Sequence, residues 1–379
     1  MIHGLYIHIP FCERRCHYCD FNTYEGLTGL APDYVAAVER DLALCAAAGL
    51  RPLDGGLRSV YFGGGTPSML PPESLLGLLE AARRSFSLAP GAEVTVEVNP
   101  GTADGAALRR LRQGGFNRVS FGFQAAQDAH LRALGRVHSA AQSDEAWDLA
   151  RGAGFDNMSL DLMFGLSGQS RDDWRESLDW ALWRRPEHVS FYGLTVEKGT
   201  RFHHLAQQGN LPLPDEEAQA SMYEEGLAAM AGAGLAQYEI SNFAVPERES
   251  VHNRLYWLNL DTLGVGAGAW SFVDGERSGR IRGPQAYIEA VGRGELPRAE
   301  SERLQGRAAR GEAALLRLRL NQGLDLDEWR ARQGGDFLGE FGDALKTAFS
   351  AGCLERTPSA VRLTAKGRLL SNEVFAALL

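Results

Sequence analysis

Short apolar runs, several of them rich in β-branched and aromatic residues, alternate with longer helix-like segments along the first two-thirds of the chain. The apolar runs are typical of buried strands and cover residues 5–9, 59–62, 94–98, 118–122, 157–161 and 188–192. The segments that follow them predict helices over residues 33–49, 71–86, 104–113, 139–153, 171–184 and 215–233. This alternation predicts a parallel sheet covered by helices. Six such units fall short of a closed eight-stranded barrel, so we expect an α/β fold in the form of an open, partial (β/α)6 barrel.

The pattern changes towards the C-terminus. Residues 273–284 and 292–299 predict little secondary structure and separate a body, residues 1–295, from a small C-terminal domain, residues 300–379. Helices predicted over residues 307–320, 326–333 and 337–351 are followed by a strand, a turn and a helix in VRLTAKGRLLSNEVF. This order resembles a winged-helix module. DNA binding is one interpretation, but no basic recognition helix stands out, so a cap that packs or docks a partner is favoured.

Composition and charge narrow the class of protein. The chain has 379 residues, of which 44% are hydrophobic, enough for one large core and a smaller one. Its formal net charge of -9 argues against the basic surface that nucleic-acid binding generally requires. No run of about 18 apolar residues predicts a membrane span, and the first residues lack the pattern of a signal peptide. We therefore expect a cytoplasmic protein with no nucleic-acid partner and no integral membrane segment.

Three cysteines, Cys12, Cys16 and Cys19, stand in a C-x3-C-x2-C arrangement directly after the first predicted strand. Three thiolates in one short segment suit a [4Fe-4S] cluster whose fourth iron stays open to another ligand. A zinc knuckle with His17 as the fourth ligand, or a redox-active pair, is the alternative. Zinc sites generally combine two ligand clusters separated by a dozen or more residues. Because no second cluster follows, the iron–sulfur interpretation is favoured.

Other polar motifs also follow predicted strands, where barrels of parallel strands carry their functional groups. The glycines of YFGGGTPS allow a ligand to approach the backbone closely, although a tight turn would use them too. Glu97 and Asp161 end apolar strands, and Gln124 and Arg136 follow the fourth strand. These side chains suit ribose hydroxyls and a ligand carboxylate. Salt bridges at the rim of the barrel are the structural alternative.

One further segment, HNRLYW, places His252 beside an arginine and two aromatic residues. An imidazole in such a setting can ligate haem iron or contact a carboxylate of a tetrapyrrole. A single histidine is more often a structural residue whose hydrogen bonds are satisfied. The residues alone leave both interpretations open.

Over nearly its whole length the chain resembles a known family. The motifs HIPFCERRCHYCDF, YFGGGTPS, VEVNPG, VSFGFQA, LGRVHS, DLMFGLSGQ, HNRLYW and RLTAKGR match, in order, the radical S-adenosylmethionine (SAM) family of oxygen-independent coproporphyrinogen III oxidases and related haem chaperones. The resemblance implies a radical SAM partial barrel, a cluster on the three cysteines, and SAM chelating the open iron. It places the SAM contacts at Tyr6, Tyr18, Gly64, Gly65, Thr66, Glu97, Gln124, Arg136, Asp161, Thr195 and Ala269.

Two departures distinguish the branches of this family. The oxidases usually carry a fourth cysteine two positions after the third, where this chain has Phe21, and an N-terminal arm ahead of the cysteines, whereas Cys12 here lies near the start. HNRLYW is what the chaperone branch shows, which implies His252 as a haem contact. We therefore predict a chaperone that binds the cluster, SAM and haem and passes haem to acceptors such as respiratory enzymes, with an electron donor as a further partner. The alternative is an oxidase that decarboxylates propionates of coproporphyrinogen III by radical chemistry.

Overall fold

The computed structural model describes residues 1–379. Its strands are β1 Gly4–Ile9, β2 Phe11–Cys12, β3 Tyr24–Glu25, β4 Leu57–Gly64, β5 Leu88–Val98, β6 Arg118–Gln124, β7 Met158–Phe164, β8 His188–Gly193, β9 Ala236–Glu239, β10 Asn242–Ala244, β11 Thr262–Val265, β12 Trp270–Val273, β13 Glu276–Arg280, β14 Arg298–Glu302, β15 Leu324–Asp325, β16 Leu354–Arg356 and β17 Ala360–Leu363. Its α-helices are α1 Ala31–Ala47, α2 Pro72–Ser85, α3 Gly105–Gln113, α4 Asp128–Leu134, α5 Ala140–Gly152, α6 Arg171–Trp183, α7 Arg201–Gln207, α8 Glu216–Gly232, α9 Val251–Trp257, α10 Pro284–Gly292, α11 Gly306–Leu318, α12 Leu326–Gln333, α13 Phe337–Ser350, α14 Ala365–Leu369 and α15 Ser371–Ala376. None of these helices combines sufficient length with sufficient apolar character to cross a membrane.

The six predicted strands correspond to β1, β4, β5, β6, β7 and β8, which lie side by side in that order and run parallel. The six predicted helices correspond to α1, α2, α3, α5, α6 and α8. The sheet stays open, because it ends in β9 at one edge and in β14 at the other. The predicted α/β partial barrel is therefore confirmed.

Side chains on these strands alternate between an apolar face and a polar face. In β6, Val119, Phe121 and Phe123 are buried in the main hydrophobic core beneath the helices. The alternate residues of the strand line the concave interior of the sheet: Arg118, Ser120, Gly122 and Gln124. Closed barrels of parallel strands usually fill their interior with bulky apolar side chains. The polar interior of this sheet instead leaves room for a ligand.

The stretch predicted to lack secondary structure forms part of the sheet, so that prediction was wrong. β11 pairs parallel with β1 and antiparallel with β12, and β13 pairs antiparallel with β12 and β14. The segments ERSGR and RAESE of β13 and β14 are short and charged. Their strand conformation depends on pairing with neighbours, because they carry no hydrophobic alternation of their own.

The C-terminal part has its own hydrophobic cluster, in which Trp329 is fully buried. β15, β17 and β16 form a separate antiparallel sheet beside α11, α12 and α13. This part contacts the body where the Asn321 amide donates a hydrogen bond to the Tyr238 carbonyl at 3.0 Å. β14 continues to Glu302 across the predicted boundary, and the division into residues 1–295 and 300–379 stays a proposal.

Candidate functional site

A cavity of about 380 Å³ opens at the carboxyl ends of the parallel strands. Such ends meet at one edge of a sheet, which is why parallel α/β folds bind ligands there. The three cysteines lie in its wall, together with nine of the predicted SAM contacts: Tyr18, Gly64, Gly65, Thr66, Glu97, Gln124, Arg136, Asp161 and Thr195. Three predicted contacts lie outside the wall: Tyr6, His252 and Ala269.

The cysteine loop is closed by a short parallel pairing of β2 with β3. All three thiols are free and partly exposed. Burial raises the pKa of the Cys12 thiol to about 11 and raises that of Cys19 in the same direction. A thiol in such a place becomes a thiolate when a metal stabilises the negative charge. The donor set therefore fits a cluster bound at the mouth of the cavity.

His17 does not take part in this donor set. Its Nδ1 lies 2.9 Å from the Ala133 carbonyl oxygen, and its Nε2 lies 2.9 Å from Nη1 of Arg201. These contacts disfavour a zinc knuckle completed by His17. No group of three His, Cys, Asp or Glu side chains in the chain is placed to hold a single metal ion. In a [4Fe-4S] cluster each thiolate binds a different iron, so the thiolates stand farther apart than they do around a single ion.

The glycine segment packs against the cysteine loop through its backbone. The Gly65 amide donates to the Ile9 carbonyl and the Thr66 amide to the Phe11 carbonyl, both at 2.8 Å. A Cβ atom on Gly65 would lie 2.6 Å from the Phe11 carbonyl oxygen, closer than side chains tolerate. Thr66 Oγ1 also lies 3.9 Å from the Cys12 sulfur. The glycines therefore let this segment support the loop that carries the thiols.

Two carboxyl groups project into the cavity. Tyr61 donates its hydroxyl to Glu97 Oε1 at 2.8 Å, and the Gly64 amide donates to Glu97 Oε2 at 3.0 Å. Burial raises the pKa of Glu97 to about 7. Burial likewise raises the pKa of Asp161 to about 6, although the Ser190 hydroxyl beside it acts in the opposite direction. Acceptors of this kind fit hydroxyl or amino donors of a bound cofactor.

Arg136 and Gln124 complete this end of the cavity. Arg136 Nη2 donates to Asn99 Oδ1 at 2.6 Å and to the Gly122 carbonyl at 2.7 Å, while Nη1 lies 3.5 Å from the Cys16 sulfur. Gln124 has a φ of 73°, and its buried Oε1 has no hydrogen-bond partner. A positive φ on a residue other than glycine is strained and is often found at binding sites. The unpaired oxygen and the strained backbone fit a ligand that donates a hydrogen bond.

Tyr6 and Ala269 support the site from outside the cavity. The Tyr6 hydroxyl lies 3.1 Å from His8 Nδ1, and its ring stacks on Tyr61 with the centroids 6.1 Å apart. Ala269 is buried in the turn between β11 and β12, where its carbonyl accepts the Arg280 amide at 2.8 Å. A direct cofactor contact of either residue stays a prediction.

His252 is buried beneath the cavity with only 1% of its surface exposed. Its Nδ1 lies 2.8 Å from Ser59 Oγ, and its Nε2 lies 2.9 Å from the Tyr256 hydroxyl. Burial lowers the pKa of this imidazole to about 3, so the ring is neutral at physiological pH. Both ring nitrogens are engaged, and a haem contact through His252 therefore requires one hydrogen bond to open. Its haem role stays a prediction.

The cavity has further polar side chains that the sequence reasoning missed: Tyr61, Asn99, Arg118, Ser120, Ser190, Tyr192, Asn242 and Asn253. Several lie on strands at interior positions. The alternation of polar and apolar residues within RVSFGFQ and MSLDLMF is the signal that could have identified such positions. Phe21 is also in the wall, with 64% of its surface exposed.

Comparisons with known proteins agree with this architecture. The family model described as "Radical SAM superfamily" matches residues 6–181, and that described as "HemN C-terminal domain" matches residues 304–370. "Heme chaperone HemW" of Bacillus subtilis is 38% identical over 375 residues, covering 99% of this chain and 98% of that protein. "Heme chaperone HemW" of Mycobacterium tuberculosis is also 38% identical, over 99% of this chain and 94% of that protein.

Among solved structures, the radical SAM enzyme coproporphyrinogen III oxidase (HemN) of Escherichia coli has a TM-score of 0.84 with this chain. The two are 24% identical, and the match covers 99% of this chain and 89% of that one. This likeness establishes the fold. The 38% identity to the HemW proteins over 99% of this chain establishes the family. The chain belongs to the HemW family of the radical SAM superfamily.

Proposed function

We propose that this protein is a haem chaperone that binds a [4Fe-4S] cluster, SAM and haem, and transfers haem to acceptor proteins such as respiratory enzymes. The observation that carries the proposal is the full-length similarity to relatives named heme chaperones. Membership of the radical SAM superfamily implies the cluster and SAM. An electron donor is the further partner that such a cluster needs to change its redox state.

We assign the cluster to Cys12, Cys16 and Cys19. When bound together, the cluster and SAM supply one-electron reductive chemistry, and the chain positions them and limits access of water. Arg136 contacts the Cys16 sulfur and also donates to Asn99 and to the Gly122 carbonyl, and so ties the cysteine loop to the end of β5 and to β6. The SAM contacts that we propose are the residues of the predicted set in the cavity wall: Tyr18, Gly64, Gly65, Thr66, Glu97, Gln124, Arg136, Asp161 and Thr195.

An anaerobic haemin titration of the cluster-reconstituted protein, followed in the Soret band, tests the haem part of the proposal. We expect saturable binding that His252→Ala weakens. The chain offers a closely matched control in His188, which is also buried and has Ser159 Oγ at 2.8 Å and the Tyr238 hydroxyl at 2.9 Å from its ring nitrogens. Loss of binding in His252→Ala but not in His188→Ala would support a haem role for His252.

Other outcomes of the titration are equally informative. An equal effect of both substitutions would assign His252 a structural role and leave haem binding elsewhere. No saturable haem binding by the native chain would refute the chaperone proposal. Haem transfer is tested by mixing the haem-loaded protein with an acceptor apoprotein and following the Soret spectrum of the acceptor.

Coproporphyrinogen III oxidase activity is the second candidate, favoured by the similarity of the fold to that of HemN. Phe21 stands where the oxidases usually have a fourth cysteine, which weighs against it. An anaerobic assay with reduced cluster, SAM and coproporphyrinogen III distinguishes the two. Formation of protoporphyrinogen would establish the enzyme, and its absence together with haem binding would support the chaperone.

A further inference from the structure

The cavity extends below the cluster end to a polar floor that no part of the proposed function uses. Arg118 and Gln124 line the same cavity from opposite ends of β6. Six residue steps separate Arg118 from Gln124, and six steps along a strand cover about 20 Å. Ser190, Asn242 and Asn253 also line the cavity. The floor borders the SAM set, because the Ser190 hydroxyl lies beside Asp161, but Arg118, Asn242 and Asn253 are not among the residues assigned to SAM.

Arg118 is the unusual residue of this floor. Only 2% of its surface is exposed, and its Nε has no hydrogen-bond partner. The nearest approach to a carboxylate is 3.9 Å, from Nε to Glu93 Oε2, which is too long for a hydrogen bond. Buried guanidinium groups are normally paired with good geometry, because an unsatisfied charged donor is costly.

Glu93 is already engaged elsewhere. Its two carboxylate oxygens accept the backbone amides of Val251 and His252, each at 3.0 Å, at the start of α9. Glu93 therefore balances the charge of Arg118 without satisfying its donors. An arginine that served only as the counter-ion of Glu93 would be expected to form the two-pronged contact that these groups favour.

A buried polar atom of Asn242, in the floor beside Arg118, also lacks a partner. The amide nitrogen of Asn242 donates to Glu239, but its Oδ1 has no hydrogen-bond partner. A free cationic donor and a free acceptor thus occur in the wall of one cavity. Both observations indicate a small polar ligand rather than a packed core.

We propose that the floor of the cavity is a binding site for a carboxylate group, with Arg118 as its anchor. A guanidinium fork matches a carboxylate in shape and charge. The carboxylate has two possible sources: a free small-molecule acid, or a propionate of haem reaching into the barrel. The site is a property of the cavity and does not depend on whether the protein transfers haem.

The first test uses sodium propionate as the probe and propionamide as its neutral counterpart. Binding to the anaerobic, cluster-reconstituted, SAM-loaded protein is measured by saturation-transfer difference NMR. We expect saturable binding of propionate and binding of propionamide that is at least about tenfold weaker, since a charged hydrogen-bond pair is replaced by a neutral one. This comparison needs no substitution and so decides the question even if variants of Arg118 fail to fold.

Variants then assign the site to Arg118. Arg118→Met should weaken propionate binding by roughly 10- to 100-fold, with Arg118→Lys in between. Arg317→Met is the matched control, because Arg317 is also buried but is held by both oxygens of Glu328, away from the cavity. This control should bind propionate within about twofold of the native chain, since a residue outside the site makes no contact with the probe.

Haemin and haemin dimethyl ester distinguish the two sources. If Arg118→Met and esterification each weaken haem binding and their effects do not add, the carboxylate is a haem propionate. If propionate binding depends on Arg118 while haem binding does not, the ligand is a separate small acid. The proposal is overturned if propionate fails to bind better than propionamide and haem binding is insensitive to both Arg118→Met and esterification.

Discussion

Substitution of Arg280 tests how the extension of the sheet is attached to the barrel. Arg280 ends β13, and Asp41 lies on α1; 3% and 0% of their surfaces are exposed. Arg280 Nε donates to Asp41 Oδ2 at 3.1 Å, and the Tyr287 hydroxyl donates to the same oxygen at 3.0 Å. Burial raises the pKa of the Cys45 thiol to about 12, so it stays protonated and lies 3.5 Å from Asp41 Oδ1 as a donor.

Arg280→Met removes the positive charge of this network and leaves the buried Asp41 carboxylate with neutral donors only. Removal of one partner of a buried ion pair costs about 3–5 kcal/mol. The total free energy of unfolding of a typical native protein is only about 5–15 kcal/mol. We therefore expect a large fall in the free energy of unfolding, measured by urea denaturation of the cluster-free protein at pH 7.5 with far-ultraviolet circular dichroism.

The double substitution Asp41→Asn with Arg280→Met separates loss of charge pairing from loss of packing. Without either charge, we expect the protein to be more stable than Arg280→Met by about 1–3 kcal/mol, because no unpaired ion remains buried. Arg293→Met, which removes an exposed arginine paired with Glu295, is the control and should leave the free energy of unfolding close to that of the native chain. A cost below about 1 kcal/mol for Arg280→Met, or a double variant no more stable than the single one, would refute the reasoning.

Three further predictions concern the candidate site. Gly65→Ala should lower the iron content after reconstitution, because the added Cβ would push against the Phe11 carbonyl. Gly342→Ala is the control and should keep the native iron content, because no atom lies within 4 Å of its added Cβ. Equal iron contents in the two variants would contradict this reasoning. Cys16→Ser should abolish the cluster absorbance and leave the far-ultraviolet circular dichroism unchanged; unchanged iron would remove Cys16 from the ligand set. The pKa of Glu97 is raised from 4.5 to about 7, so between these pH values the folded protein holds a proton that the unfolded chain has released. The free energy of unfolding should therefore fall as the pH rises through this range, by at most about 3 kcal/mol. Urea unfolding at pH 5 and pH 8 should show that dependence in the native chain and a smaller one in Glu97→Gln; the same dependence in both would exclude Glu97 as its source.

The fold was predictable from the sequence where each element carries its own pattern. The central strands are buried on the helix side, and their apolar residues mark them without knowledge of their neighbours. β13 and β14 could not be predicted in the same way, because ERSGR and RAESE have the composition of polar loops and become strands only by pairing, β13 with β12 and β14 with β13. The predicted ends of the six central helices lie within two residues of the observed ones. Caps such as Ser139 and Ser170 show that these ends are fixed by local side chains.

The lining of the cavity was predictable at the strand ends and not at its floor. Cys12, Glu97 and Gln124 each follow or end a strand, and the parallel order brings such positions together. Arg118 begins its strand, a position that usually serves the stability of a barrel rather than its function. Nothing local in the sequence shows that its guanidinium lacks a partner, because that depends on Glu93 being held by the start of α9, more than a hundred residues later in the chain.

The environment of His252 could not be predicted from the sequence either. The segment HNRLYW indicated a haem contact through resemblance, but the fold encloses the imidazole between the hydroxyl groups of Ser59 and Tyr256. Sequence similarity identifies a position of functional or structural importance, but it does not show whether the side chain contacts a ligand or stabilises the wall of the cavity. In this protein the backbone amide of His252 also binds Glu93, which stands beside Arg118. A change at His252 can therefore alter ligand binding through the floor of the cavity without any contact with haem, which is why the matched substitution of His188 is needed to interpret it.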